Sequence, residues 1–250
     1  VRSLSKIVGL PFVVADATTF TAAGYVGEDV QSILVQLYES SGRKKSLTEK
    51  GIVFLDEIDK LASSQDSHGA IGTTAVQQSL LKMIEGGIIK LNLGDKKNGE
   101  EVYIDTSKIL FICSGAFPGL TKNTQKKISL DKKKNVENQK EISMNDLKKY
   151  GLIPELIGRF SVICQTSCLK ENDLVSILTK TENSLSRQYQ ELFLSYGVNI
   201  NFSDTFLLSV AQEALNLGTG ARGLKSILDK KLEPYFFDTK KLSKKKIFNL

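Results

Sequence analysis

The segment that most restricts the fold is Gly51-Ile-Val-Phe-Leu-Asp-Glu-Ile-Asp-Lys60. Four consecutive apolar residues are too short a run for a helix and fit a strand buried on both sides. Similar runs lie on either side of it in the chain, at Pro11 to Val14 and Lys108 to Cys113. Between them apolar residues return at helical spacing, first as Val30, Ile33, Leu34, Leu37 and Tyr38, then as Val76, Leu80, Leu81 and Ile84. Apolar strands separated by helices predict an α/β fold with a parallel sheet covered by helices. Ile88 to Leu93 and Glu101 to Ile104, around the polar stretch Gly94 to Gly99, predict a further pair of strands.

The strand ending at Leu55 delivers Asp56 and Glu57 to its C-terminal end, the edge at which open α/β sheets bind ligands. One carboxylate there can hold the magnesium of a nucleotide, directly or through water. Its neighbour can polarise a water for attack on a terminal phosphate. This is the Walker B pattern, although strands that simply end in acidic turn residues share it. Three other segments are notable. Gly24-Tyr-Val-Gly-Glu-Asp29 puts an aromatic and a branched residue between two glycines, where they fold back onto the domain or meet a bound molecule. Gly151-Leu-Ile-Pro-Glu-Leu-Ile-Gly-Arg159 is a constrained segment ending in an arginine, whose planar fork suits phosphate or an ordinary surface ion pair. Gly220-Ala-Arg-Gly-Leu224 places Arg222 at the start of a helix, a position that favours anions but also suits an exposed side chain.

Downstream, the sequence predicts a strand-like stretch from Phe160 to Cys164 and a helical pattern from Glu171 to about Ser195. A short strand from Val198 to Phe202 and helices over Thr205 to Asn216 and Ala221 to Leu232 follow. A boundary near Ser167 divides the chain into a large domain, 1–167, and a small, mainly helical one, 168–250. No apolar run approaches the roughly 20 residues that span a bilayer. The net charge of +6 is concentrated in lysine runs, seven lysines between Thr121 and Lys140 and five between Lys240 and Lys246, which read as a solvated loop and a frayed tail. Three cysteines with no framework exclude a disulfide scaffold, and Cys164 and Cys168 with the single histidine, His68, are too few for a zinc site. Cys113 reads as a buried small hydrophobe.

Taken in order, these segments resemble the ClpX family of AAA+ protein unfoldases. Asp16-Ala-Thr-Thr19, Val76-Gln-Gln78 with Leu80-Leu81-Lys82, Asp105 to Cys113 and Gly115-Ala-Phe117 also match, so the resemblance covers nearly the whole chain outside Thr121 to Lys140. The related HslU ATPase shares GYVG and L-I-P-E-L, but continues with Q-G-R where this chain has Ile157-Gly158-Arg159.

The resemblance implies a homo-hexameric ring that binds ATP and Mg2+, draws unfolded or tagged proteins through its pore and feeds a ClpP-like peptidase. By motif, Asp56 supports magnesium and Glu57 is the catalytic base. Arg159 is an arginine finger reaching the neighbouring subunit's nucleotide. Arg222 is the sensor-2 arginine and Ser114 the available sensor-1 residue. Tyr25 and Val26 form the substrate-gripping pore loop, where a flat aromatic holds any polypeptide by contact area.

The chain also departs from the family. The G-x-x-x-x-G-K-[ST] phosphate loop belongs upstream of Val1, so the chain alone is expected to hydrolyse little or no ATP. The resemblance does not extend to the family's N-terminal zinc-binding domain, which has no counterpart among these residues. The short G-x-G run of the second pore loop and the I-G-F peptidase-docking loop are not visible, and the basic R-K-H loop aligns only loosely with Lys96-Lys97-Asn98. Two other functions stay open. A catalytically silent AAA+ assembly or adaptor module would explain the missing loop but not the retention of Glu57, Arg159 and Arg222. A nucleic-acid-remodelling AAA+ ATPase would call for basic or polar pore residues in place of Tyr25 and Val26. The expected setting is bacterial cytoplasm or an organelle matrix, with no membrane or nucleic-acid partner.

Overall fold

In a computed structural model, the chain divides into two compact units, Val1–Gln165 and Thr166–Leu250. The structure describes residues 1–21, 29–62, 70–93, 100–120, 142–237 and 248–249. The first unit opens with α1 (Arg2–Val8), β1 (Phe12–Asp16), α2 (Ser32–Ser40) and α3 (Lys45–Thr48). Next come β2 (Ile52–Asp56), α4 (Ala70–Ile84), β3 (Ile88–Leu93), β4 (Glu100–Asp105) and β5 (Leu110–Cys113), and then α5 (Met144–Tyr150) and α6 (Pro154–Ile157).

β1, β2 and β5 form a parallel sheet with β2 at the centre. The register places Val13, Val53 and Phe111 in one row and Ala15, Leu55 and Cys113 in the next. These rows face a core that also takes Ile33, Leu34 and Leu37 of α2 and Val76, Leu80 and Met83 of α4. The α/β class expected from the three apolar runs is borne out. The opposite face is more open, with Val14 44% and Leu110 49% exposed. β3 and β4 pair antiparallel, and Leu91 and Ile104 of this pair join the same core. Gly86 and Gly87, both at positive φ, end α4 and turn the chain into β3.

The second unit contains α7 (Glu171–Lys180), α8 (Leu185–Ser195), β6 (Ile200–Asn201), α9 (Asp204–Asn216), α10 (Leu224–Phe237) and β7 (Phe248–Asn249). Its core is separate and built from residues such as Leu174, Leu178, Phe193, Val210 and Leu228. Phe193 and Phe236 stack within it at 4.7 Å.

Two local expectations need correction. The helical pattern from Glu171 to Ser195 is broken at residues 181–184, where the Thr181 hydroxyl donates to the Ile177 carbonyl and the Ser186 hydroxyl reaches the Leu178 carbonyl. Such local bonds compete with the helix ladder. Phe160 to Cys164 is not a strand. It joins no ladder, and Val162 is 76% exposed, so its apolar residues answer to no sheet.

Candidate functional site

β2 ends on Asp56, and β1 ends in register with it on Asp16. Two carboxylates therefore stand at the same edge of the sheet, with Glu57 next in the chain. The Asp16 carboxyl is held below its ordinary range by hydrogen bonds from the hydroxyl and the backbone N–H of Thr18, at 2.6 and 2.8 Å. Asp56 Oδ1 accepts from the Ser114 hydroxyl at 2.5 Å and from the Glu57 N–H at 3.0 Å. Ser114 is fixed in turn by its backbone, since its N–H donates to Leu55 O at 2.8 Å and its carbonyl accepts from Ile58 N–H at 2.9 Å. The turns after β2 and β5 are thereby sewn together behind the acidic pair.

Glu57 is exposed and adopts the left-handed conformation, φ 56 and ψ 33. A non-glycine residue there costs about 1 kcal/mol and is characteristic of functional turns. The 3-10 turn Ile58–Leu61 follows at once, and Asp59 within it is buried. Asp59 Oδ1 accepts from Ala116 N–H at 3.3 Å, whereas Oδ2 has no partner among the described residues. Gly115 is needed for this approach, because a Cβ there would lie 2.6 Å from Asp59 Oδ1. Cys113, just before this turn, points into the core, and burial pushes its thiol up to about 12.

The structure brings Asp56, Glu57 and Ser114 together. It sets Arg159 elsewhere, half-exposed and paired through Nη2 with Glu85 Oε1 at 2.5 Å. Arg222 lies exposed in the 3-10 turn Gly220–Gly223 of the second unit. That turn is tight, since a Cβ on Gly223 would fall 2.0 Å from the Thr219 hydroxyl. Tyr25 and Val26 lie outside the described residues.

Sequence reasoning missed the role of Gln77, which carried no signal beyond its place in a motif. Gln77 is fully buried on α4. Its Nε2 donates to Leu61 O at 2.7 Å and to Gly151 O at 3.4 Å, while its Oε1 accepts from Ile153 N–H at 2.8 Å. One N–H and two carbonyls leave a single orientation for the amide. Glu85, immediately after α4, was missed as well.

The donor set suits a nucleotide-borne cation better than a resident metal. Among the described residues no group of three or more Asp, Glu, His or Cys could hold a metal ion. Magnesium is commonly held by only one or two carboxylates together with phosphate oxygens, and Asp56 with its exposed neighbour Glu57 fits that arrangement.

The family model for the AAA domain (Cdc48 subfamily) matches residues 2–163. The chain belongs to the AAA domain family. The small-domain model, the C-terminal, D2-small domain of ClpB protein, matches residues 169–247 of this AAA chain. Among curated relatives, it is 43% identical over 260 residues to the Clp protease ATP-binding subunit ClpX 3 of Methylococcus capsulatus, covering 94% of this chain and 59% of that protein. It is 40% identical to the ClpX subunit of Azotobacter vinelandii, with 95% of this chain and 58% of that protein covered. For ClpX 2 of Wolinella succinogenes the values are 41%, 95% and 62%. The ClpX resemblance seen in the motifs is borne out, and this AAA chain spans about three-fifths of the length of the curated relatives it matches. No helix among the described residues is long and apolar enough to cross a membrane.

Proposed function

We propose that this chain is the motor part of a ClpX-type, ATP-dependent protein unfoldase. The observation that carries the reading is the Asp56–Glu57 pair at the end of the central strand, with the Ser114 hydroxyl on Asp56. Magnesium on the nucleotide would neutralise phosphate charge as the terminal phosphoryl group departs. Asp56 would hold that cation at the edge of the sheet. Glu57, held clear of the strand by its left-handed backbone, accepts the proton of the attacking water. Ser114 fixes the orientation of Asp56 and reports its state to the β5 turn. Arg159 donates its guanidinium to the nucleotide on a neighbouring subunit, and Arg222 senses the nucleotide from the small domain, 168–250. Tyr25 and Val26 grip the polypeptide. In this reading the working form is a homo-hexamer with unfolded or tagged proteins as substrates and a ClpP-like peptidase as partner.

The test is ATPase rate, with and without an unfolded protein, on a chain extended upstream to carry the phosphate loop, beside its Glu57→Gln variant. Stimulated activity that Glu57→Gln abolishes supports the motor. An assembled, extended chain that stays silent supports the adaptor alternative instead.

A further inference from the structure

We infer that Gln77 is a positioning residue that sets Arg159 for its neighbour's nucleotide; the inference rests on the motor reading above. Gln77 is 0% exposed, yet all three hydrogen bonds of its side-chain amide go to backbone outside its own helix. One goes to Leu61, the last residue of the turn that follows Asp56 and Glu57. The other two go to Gly151 and Ile153, at the start of the segment that ends in Arg159. A buried amide with every donor and acceptor engaged fixes its partners far more tightly than apolar packing does, because slippage would leave buried polar groups unpaired.

The turn after β2 is anchored independently, through Ile58 N–H to Ser114 O and through Asp59 to Ala116. The segment 151–159 buries Leu152, Leu156 and Ile157 but leaves Pro154, Glu155, Gly158 and Arg159 exposed, and the Gln77 amide ties its first residues to the turn after β2. Gln77 therefore couples the position of the Asp56–Glu57 turn to that of the arginine-bearing segment. Glu85, eight residues further along and about 12 Å up the helix, meets Arg159 at the other end. In a free subunit α4 and the residue that follows it thus meet the segment at its first and last residues, and it is the Gln77 tie that persists when Arg159 leaves Glu85.

The experiment uses the extended, assembled protein and three variants: Gln77→Met, which matches the length but lacks donors and acceptors, Glu57→Gln and Arg159→Ala. Gln77→Met is expected to lower kcat by about tenfold or more, as a small misplacement of a transition-state group does, while KM for ATP stays within about twofold. Mixing is the decisive arm. Gln77→Met subunits keep Glu57, and Glu57→Gln subunits keep a correctly held Arg159, so mixed rings should show more activity than either parent alone. Arg159→Ala mixed with Glu57→Gln is the control. If the control pair recovers and the Gln77→Met pair does not, the inference is overturned and the motor reading stands. Unchanged kcat in Gln77→Met, or a loss confined to KM, overturns it equally. If the control pair fails to recover, the action between subunits is wrong and both fall. Should Gln77→Met not assemble, Gln77→Asn, one methylene too short to span all three partners, is expected to show the same kcat loss and the same recovery on mixing.

Discussion

Asp56 accepts two hydrogen bonds on a single oxygen, and one of them comes from a hydroxyl that is itself locked by backbone bonds on both sides. Such a carboxylate can turn very little. In the motor proposed above, Ser114→Ala is expected to lower kcat by about tenfold with little change in nucleotide affinity, since it removes orientation and leaves charge in place; steady-state ATPase kinetics check this. A second residue-scale outcome concerns the thiols. Cys164 and Cys168 are exposed, while burial raises Cys113 to about 12. A thiol reagent near neutral pH should modify Cys164 and Cys168 in the folded chain and reach Cys113 only after denaturation. The sign for stability follows: with its folded value raised above the ordinary 9.0, the contribution of Cys113 is complete below pH 9 and is lost as pH rises toward 12. In the second unit burial, and then the hydrogen bond to Asp229, raise the Tyr189 phenol. Tyr189→Phe leaves Asp229 without this donor and is expected to cost about 1–2 kcal/mol in a denaturant titration.

At the scale of elements, local pattern and tertiary pairing account for different parts of the structure. The strand Ile52–Asp56 was legible because four apolar residues in a row leave few choices, and the acids at its end were legible with it. Helices α2, α4 and α9 were legible from their spacing. Phe160 to Cys164 misled because β-branched residues look alike whether or not a partner strand exists, and only long-range pairing decides it. The break inside 171–195 was missed because its apolar spacing continues across Thr181 to Ser184, and the interruption is made by hydroxyls. The ties of Gln77 were illegible for a simpler reason: its partners lie 16, 74 and 76 residues away. Helix α5 offers a clean element-scale test. Ser143 and Asp146 cap it reciprocally, the Ser143 hydroxyl accepting from Asp146 N–H and the Asp146 carboxylate accepting from Ser143 N–H. Ser143→Ala is expected to cost about 1 kcal/mol by the same kind of titration.

For the whole molecule, the division into Val1–Gln165 and Thr166–Leu250 reflects cores that share no residue between the two units. The second unit buries a full set of aliphatic and aromatic side chains of its own, which is the requirement for independent folding. Residues 166–250 expressed alone should be helical by circular dichroism and melt in one cooperative transition; a non-cooperative melt would show that this core depends on the large unit.

The ion pair between Arg159 and Glu85 has one consequence for the motor proposed above. A guanidinium engaged with a carboxylate of its own subunit must leave it to meet a phosphate on the next, so the two contacts compete for one fork. Both partners are half-exposed, and pairs of that kind contribute about 0–1 kcal/mol. The intramolecular contact is therefore a weak catch, firm enough to keep the arginine from wandering in a free subunit and easily outbid when subunits close. Replacing Glu85 with Gln should scarcely alter stability, yet it should make the pace of ATP turnover less responsive to added salt, because moderate ionic strength loosens the catch only where there is one to loosen.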